Sequence, residues 1–149
     1  VSGSSMVPSF ADGDYLLIDE LTYRFREPQR GEVVVFRSPE NNSTFFIKRI
    51  IGLPGERVDI KNGKVFIFEK NKAEEFLLLE EDYIPLNVLT KGSVAPELGE
   101  GEYLLLGDNR SYSFDSRSWG PLARENIVGL VRLRLWPLND FKAFAAPAY

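Results

Sequence analysis

The chain has 149 residues, a formal net charge of -4, and neither histidine nor cysteine. Those zeros exclude a Ser-His-Asp triad, a thiol nucleophile, a disulfide framework and a His- or Cys-based zinc site, and the acidic balance argues against nucleic acid, which needs a basic surface. With 44% hydrophobic and 13% aromatic residues, the length suits one domain with a real core.

In chain order, the opening segment Val1-Ser2-Gly3-Ser4-Ser5-Met6-Val7-Pro8-Ser9-Phe10 is rich in small residues. That composition fits a flexible terminus as well as a place where another chain can come close. Short runs of β-branched and aromatic residues then predict strands at 15–19, 32–37, 44–52, 57–60 and 64–68. Turn residues separate them: Asp12-Gly13-Asp14, 28–31, Leu53-Pro54-Gly55, and Asn62-Gly63, a pair that predicts a type I′ hairpin. Residues 70–100 change character. They carry Glu74, Glu75, Glu80, Glu81 and Asp82 with scattered Pro and Gly, and read either as a small cap inserted on the sheet or as an ordinary surface connection. Further strands are expected at 103–106 and 127–135, which makes the chain mainly β with antiparallel sheets. Residues 143–149 depart in composition and read as a tail, disordered by expectation, although Ala143-Phe144-Ala145-Ala146 itself resembles a small-residue cleavage site. No segment is apolar and long enough to span a bilayer, and the chain opens inside a structured-looking motif, as expected of a piece of a longer protein.

Without histidine or cysteine, hydrolytic chemistry falls to Ser, Thr, Lys, Tyr, Asp or Glu. A serine hydroxyl needs a base to take its proton, and a free lysine, with a pKa of about 10.4, is almost wholly protonated at neutral pH. Burial among apolar groups disfavours the ammonium and lowers that pKa. Six of the seven lysines, at 61, 64, 70, 72, 91 and 142, lie in turns or polar stretches. Lys48 lies instead in Phe45-Phe46-Ile47-Lys48-Arg49-Ile50-Ile51. Strand alternation puts Phe46, Lys48 and Ile50 on one face and Arg49 on the other, where it should seek a carboxylate. Taken alone, Lys48 also fits a sheet-edge lysine reaching out to water. The run from Gly107 to Gly120 packs Asp108, Arg110, Asp115 and Arg117 among four serines, which fits a turn stapled by Asp–Arg pairs. It has too few acids, and no central glycine, for a calcium loop.

Four blocks in this order resemble the boxes of bacterial type I signal peptidases. They are Ser5-Met6-Val7-Pro8-Ser9, then Arg30-Gly31-Glu32-Val33-Val34-Val35-Phe36, then Phe46-Ile47-Lys48-Arg49-Ile50-Ile51-Gly52-Leu53-Pro54-Gly55-Glu56, then Gly107-Asp108-Asn109-Arg110 through Ser113, Asp115-Ser116-Arg117 and Trp119-Gly120. Residues 21–30 and 134–138 are similar to the cyanobacterial and plastid branch.

The resemblance implies a twisted antiparallel half-barrel with an inserted cap, working as a Ser-Lys endopeptidase without a metal or cofactor. Ser5 falls at the nucleophile, Lys48 at the general base and Ser113 at the serine that orients the lysine. The Ser5 backbone N–H would be one oxyanion donor. The position that supplies a second serine in some members is Gly3 here. The substrates implied are signal peptides of exported preproteins, cut after Ala-X-Ala. They would bind as extended strands along Gly3, Thr44, Phe45, Phe46 and Ile47. Asp108, Arg110, Asp115, Arg117 and Arg49 would support the site. Tyr112, Phe114 and Trp119 are expected to pack. The resemblance also implies an anchor before Val1, a catalytic domain outside the cytoplasm, and an apolar patch resting on the membrane; Phe10, Trp136 and Phe141 read either as contributors to that patch or as core residues, with core packing the better fit for Trp136. The nearest alternatives are a self-cleaving Ser-Lys repressor domain and a non-enzymatic peptide-binding β module.

Overall fold

A computed structural model describes residues 1–69, 76–79, 81–92, 97–136, 142–147 and 149. Its strands are β1 (Tyr15–Asp19), β2 (Val33–Arg37), β3 (Phe45–Gly52), β4 (Glu56–Lys61), β5 (Lys64–Glu69), β6 (Phe76–Leu78), β7 (Glu102–Leu106), β8 (Leu122–Ala123), β9 (Ile127–Trp136) and β10 (Lys142–Ala143). A four-residue helix, α1 (Ser116–Trp119), precedes β8. Each strand expected from the sequence forms, with ends shifted by a residue or so. The short β6, β8 and β10 carry too few residues to show a two-residue period.

Pairing is antiparallel throughout. One sheet runs β1-β9-β2-β3-β7-β8, with β10 also on β9, and the second runs β4-β5-β6. The β4–β5 hairpin turns through Asn62 at φ 52° and Gly63 at φ 76°. Both values are positive, as a type I′ turn requires.

Alternation along the central strands feeds separate cores. Tyr103 and Leu105 of β7 join Val34, Phe36 and Ile50 in one cluster. Leu104 and Leu106 join Ile51, Val58, Val65 and Leu98 in another, between the two sheets. Val33 and Val131 form a third with Met6 and Phe10 of the opening segment. That segment is therefore held by its own apolar side chains. Phe10 is completely buried, so of the two readings open from the sequence the structure supports core packing over an exposed patch. The side chain of Trp136 and all of Phe141 lie outside the described residues.

The closing segment also folds back. β10 pairs with β9, the Phe144 ring lies 4.5 Å from that of Phe10, and a Cβ added to Gly31 would come within 2.6 Å of Pro147. The tail packs on its own chain because Phe144 and Tyr149 offer apolar surface to clusters already formed.

Candidate active site

Strand β3 has two partners over different stretches. It pairs with β2 along Phe45 to Arg49, but with β7 only from Arg49 onward. The edge of residues 45–48 on the β7 side is thus unpaired among the described residues. Burial changes at the same place: Phe45 and Phe46 are exposed, and the strand is buried from Lys48 onward. Because Arg49 pairs with Leu106, the chain leaving β7 turns at Gly107 beside Lys48.

The turn grips the opening segment. Asn109 N–H donates to the Ser5 carbonyl at 2.9 Å, Asn109 Nδ2 donates to the Ser4 carbonyl at 3.0 Å, and Asp108 N–H points at Met6 Sδ at 3.4 Å. A Cβ on Gly107 would fall 2.0 Å from Ser113 Oγ and 2.6 Å from the Ser5 carbonyl. Only glycine allows so close an approach.

Within this frame Lys48 Nζ donates to Ser5 Oγ at 2.8 Å and to the Ile47 carbonyl at 2.9 Å. The Phe46 ring centroid is 5.6 Å from the nitrogen, and Lys48 is 3% exposed. Burial pushes its pKa down to about 8, against a smaller upward pull from the Asp115 and Asp108 carboxylates. The amine is therefore far more often neutral at neutral pH than a solvated lysine.

On the opposite face, Arg49 holds Asp108 by a two-pronged pair, Nε to Oδ1 at 2.9 Å and Nη2 to Oδ2 at 2.7 Å, and its Nη1 donates to the Gly31 carbonyl at 2.8 Å. Ser9 Oγ donates to Asp108 at 2.5 Å. One buried carboxylate thus ties the strand that carries Lys48 to the segment that carries Ser5. Asp115 caps α1, accepts from Gly107 N–H at 3.0 Å and is paired with Arg117 at 2.8 Å. Burial pushes its carboxyl up, but Arg117 and the Gly107 amide outweigh that and hold it below the usual range.

A family model described as signal peptidase, peptidase S26, matches residues 1–136. The chain belongs to this family. It is 39% identical over 144 residues to a probable signal peptidase I-2 of Synechocystis sp., covering 93% of this chain and 62% of that protein. It is 34% identical to a signal peptidase I of Leptolyngbya laminosa, covering 99% and 72%, and 35% identical to a signal peptidase IB of Staphylococcus aureus, covering 95% and 78%. The chain therefore spans under two thirds of the Synechocystis relative. The crystal structure of a signal peptidase I from Enterococcus faecalis V583 matches with a TM-score of 0.58 at 30% identity, covering 70% of this chain and 97% of that one.

In this signal peptidase family member, the structure brings Ser5, Lys48, Phe45, Phe46 and Ile47 into one cleft of about 540 Å³, with Leu16, Ile18 and Val35. Gly3 and Thr44 stand outside it. Gly3 is exposed, with its N–H on Asp12, and the Thr44 carbonyl is taken by Ser38 N–H at 2.8 Å. The Ile47 carbonyl, not Ser113, holds the lysine amine. Ser113 packs on Gly107, and its hydroxyl lies beside the Asp115 carboxylate, whose charged form it favours. Arg110 pairs with Glu81 rather than Asp108, and donates to Thr90 Oγ1 at 2.6 Å. Trp119 packs on Phe36 at 5.6 Å, while Tyr112 and Phe114 are 77% and 54% exposed and so do not pack as expected. Sequence reasoning missed Glu81 and Tyr83, the latter with its ring 3.9 Å from the Arg49 guanidinium. In an acidic run both look solvated, and no local pattern names partners so far along the chain.

Proposed function

We propose that this chain is the catalytic part of a signal peptidase that cuts signal peptides from exported preproteins after Ala-X-Ala. Ser5 is the nucleophile and Lys48 the general base. The observation that carries this is the 2.8 Å contact between Lys48 Nζ and Ser5 Oγ at an amine with almost no exposure to water.

The neutral amine takes the Ser5 proton as Oγ attacks the scissile carbonyl carbon. The negative charge that develops on the carbonyl oxygen is met by the Ser5 N–H. The ammonium then gives its proton to the departing amine, leaving an ester on Ser5. A water, deprotonated by the same lysine, hydrolyses that ester. An ammonium has three N–H donors, and Ser5 Oγ and the Ile47 carbonyl account for two. Ser113, whose hydroxyl packs on Gly107 in the turn beside Lys48, is proposed as the partner of the third.

The free edge of residues 45–48 supports binding of the peptide as an added strand. The apolar walls given by Leu16, Ile18, Val35 and Ile47 favour small side chains. The exposed Tyr15, Leu17, Val7 and Phe45 support a surface that rests on a bilayer on the extracytoplasmic side. No helix among the described residues is long and apolar enough to cross it.

The test is cleavage of an Ala-X-Ala peptide in detergent. Ser5→Ala and Lys48→Ala should each reduce the rate to background, by about a thousandfold or more. Substantial cleavage by either variant removes the assigned pair.

A further inference from the structure

Residues 142–147 and 149, a tail outside the region matched by the family model, reach both halves of the site. At one end, the Phe144 ring packs 4.5 Å from that of Phe10, whose N–H donates to the Met6 carbonyl directly after Ser5. In the middle, Pro147 and the Tyr149 ring lie on Gly31, within 2.6 and 2.9 Å of where a Cβ would stand, and the Gly31 carbonyl is a partner of Arg49. At the other end, the Tyr149 hydroxyl donates to the Tyr83 hydroxyl at 3.1 Å, which donates to Glu81 Oε2 at 2.7 Å. Glu81 in turn pairs with Arg110, whose Nε donates to the Gly107 carbonyl at 3.1 Å. The Tyr83 ring covers the Arg49 guanidinium at 3.9 Å, a contact that gains strength where water is excluded. Burial and the neighbouring Glu81 push the Tyr83 phenol well above its usual value, so it stays a donor.

We propose that the tail is a strap whose Tyr149, acting through Tyr83, positions the catalytic pair by covering the Arg49–Asp108 ion pair and clamping the 107–113 turn. The proposal rests on the Ser5–Lys48 reading. Tyr83 and Tyr149 are positioning residues, because neither lines the cleft. Loosening them lets water reach Asp108 and slackens the grip of Ser9 and Asn109 on the nucleophile segment, so Ser5 drifts from the amine while the peptide groove stays intact. Misplacements of this kind slow chemistry more than they weaken binding.

The experiment measures kcat and KM for the peptide with Tyr149→Phe, Tyr149→Leu and Tyr149→Ala in the full chain, below each variant's melting temperature. Tyr149→Phe keeps the ring on Gly31 but loses the hydroxyl that reaches Tyr83, so it should lower kcat by a few-fold, and Leu and Ala by about tenfold, all with KM nearly unchanged. If Tyr149→Ala does not fold, Tyr149→Leu decides. An unchanged kcat in the leucine variant, or a parallel loss of kcat and rise of KM, overturns the strap. Ser5→Ala run alongside separates the two ideas: if it is inactive while Tyr149→Leu is fully active, only the strap fails, and if it remains active the catalytic reading fails.

Discussion

A lysine is a poor base in water and a costly guest in a core, and Lys48 shows both sides of that bargain. Its folded pKa of about 8 lies below the ordinary 10.5. The unfolded chain therefore binds more protons between those two values, and stability rises with pH across that window. Below about pH 8 the folded protein carries the full cost of the buried ammonium, and above about 10.5 the cost is gone. Lys48→Met, which keeps the stem and drops the charge, should stabilise the fold at pH 7 by roughly 2–3 kcal/mol, an advantage that fades as the pH is raised. Urea unfolding at pH 7 and pH 10 measures it, and a stability gain equal at both pH values would contradict it. Ser5 and Lys48 were legible because each sits in a short, distinctive string. Ser113 was placed by the same resemblance, but which hydroxyl or carbonyl the amine meets depends on a rotamer and on the course of the 107–113 turn, which residue order does not encode. Phe10 stayed open between two readings for a similar reason: its burial comes from Val33, Val131 and Phe144, all distant in the chain.

Strand β3 does three jobs with one alternation. Its even positions from 46 to 50 keep the amine among apolar neighbours, Arg49 on the other face anchors Asp108, and residues 45–48 leave an edge open to a peptide. Asp108 is the hinge of this arrangement, since it accepts from Arg49 and Ser9 together. Asp108→Asn strands a guanidinium that is 8% exposed. Breaking one side of a buried pair costs about 3–5 kcal/mol, so a large fall in unfolding free energy is expected, with loss of cleavage even where the fold survives. Ser9→Ala, which removes one hydrogen bond, should cost only about 1 kcal/mol. Equal effects of the two would contradict the hinge. The strands themselves were legible because β-branched runs between turn residues leave few alternatives, and the Asn62-Gly63 hairpin was legible because two positive φ angles demand those residues. The pairing of Arg49 with Asp108, and of Arg110 with Glu81, follows from sheet order, and neighbours along the chain do not reveal it.

Across the whole molecule, dryness at one nitrogen is a collective product. The opening segment and the turn at Gly107 meet Lys48, and Tyr83 and Tyr149 back the Arg49 side of the same strand; the acidic run and the tail looked peripheral because their anchors, a cation–π contact of Tyr83 with Arg49 and a hydroxyl hydrogen bond of Tyr149 with Tyr83, join residues far apart in the chain. The family resemblance carried the order of the boxes but not these outer layers. If this enclosure makes the base, the pH dependence of kcat/KM for an Ala-X-Ala peptide reports it directly, since only the neutral amine can accept the Ser5 proton. The rate should rise with pH through an inflection near about 8 and then level off. An inflection near the ordinary lysine value of 10.5, or a profile flat across the alkaline range, would contradict a desolvated Lys48 as the base.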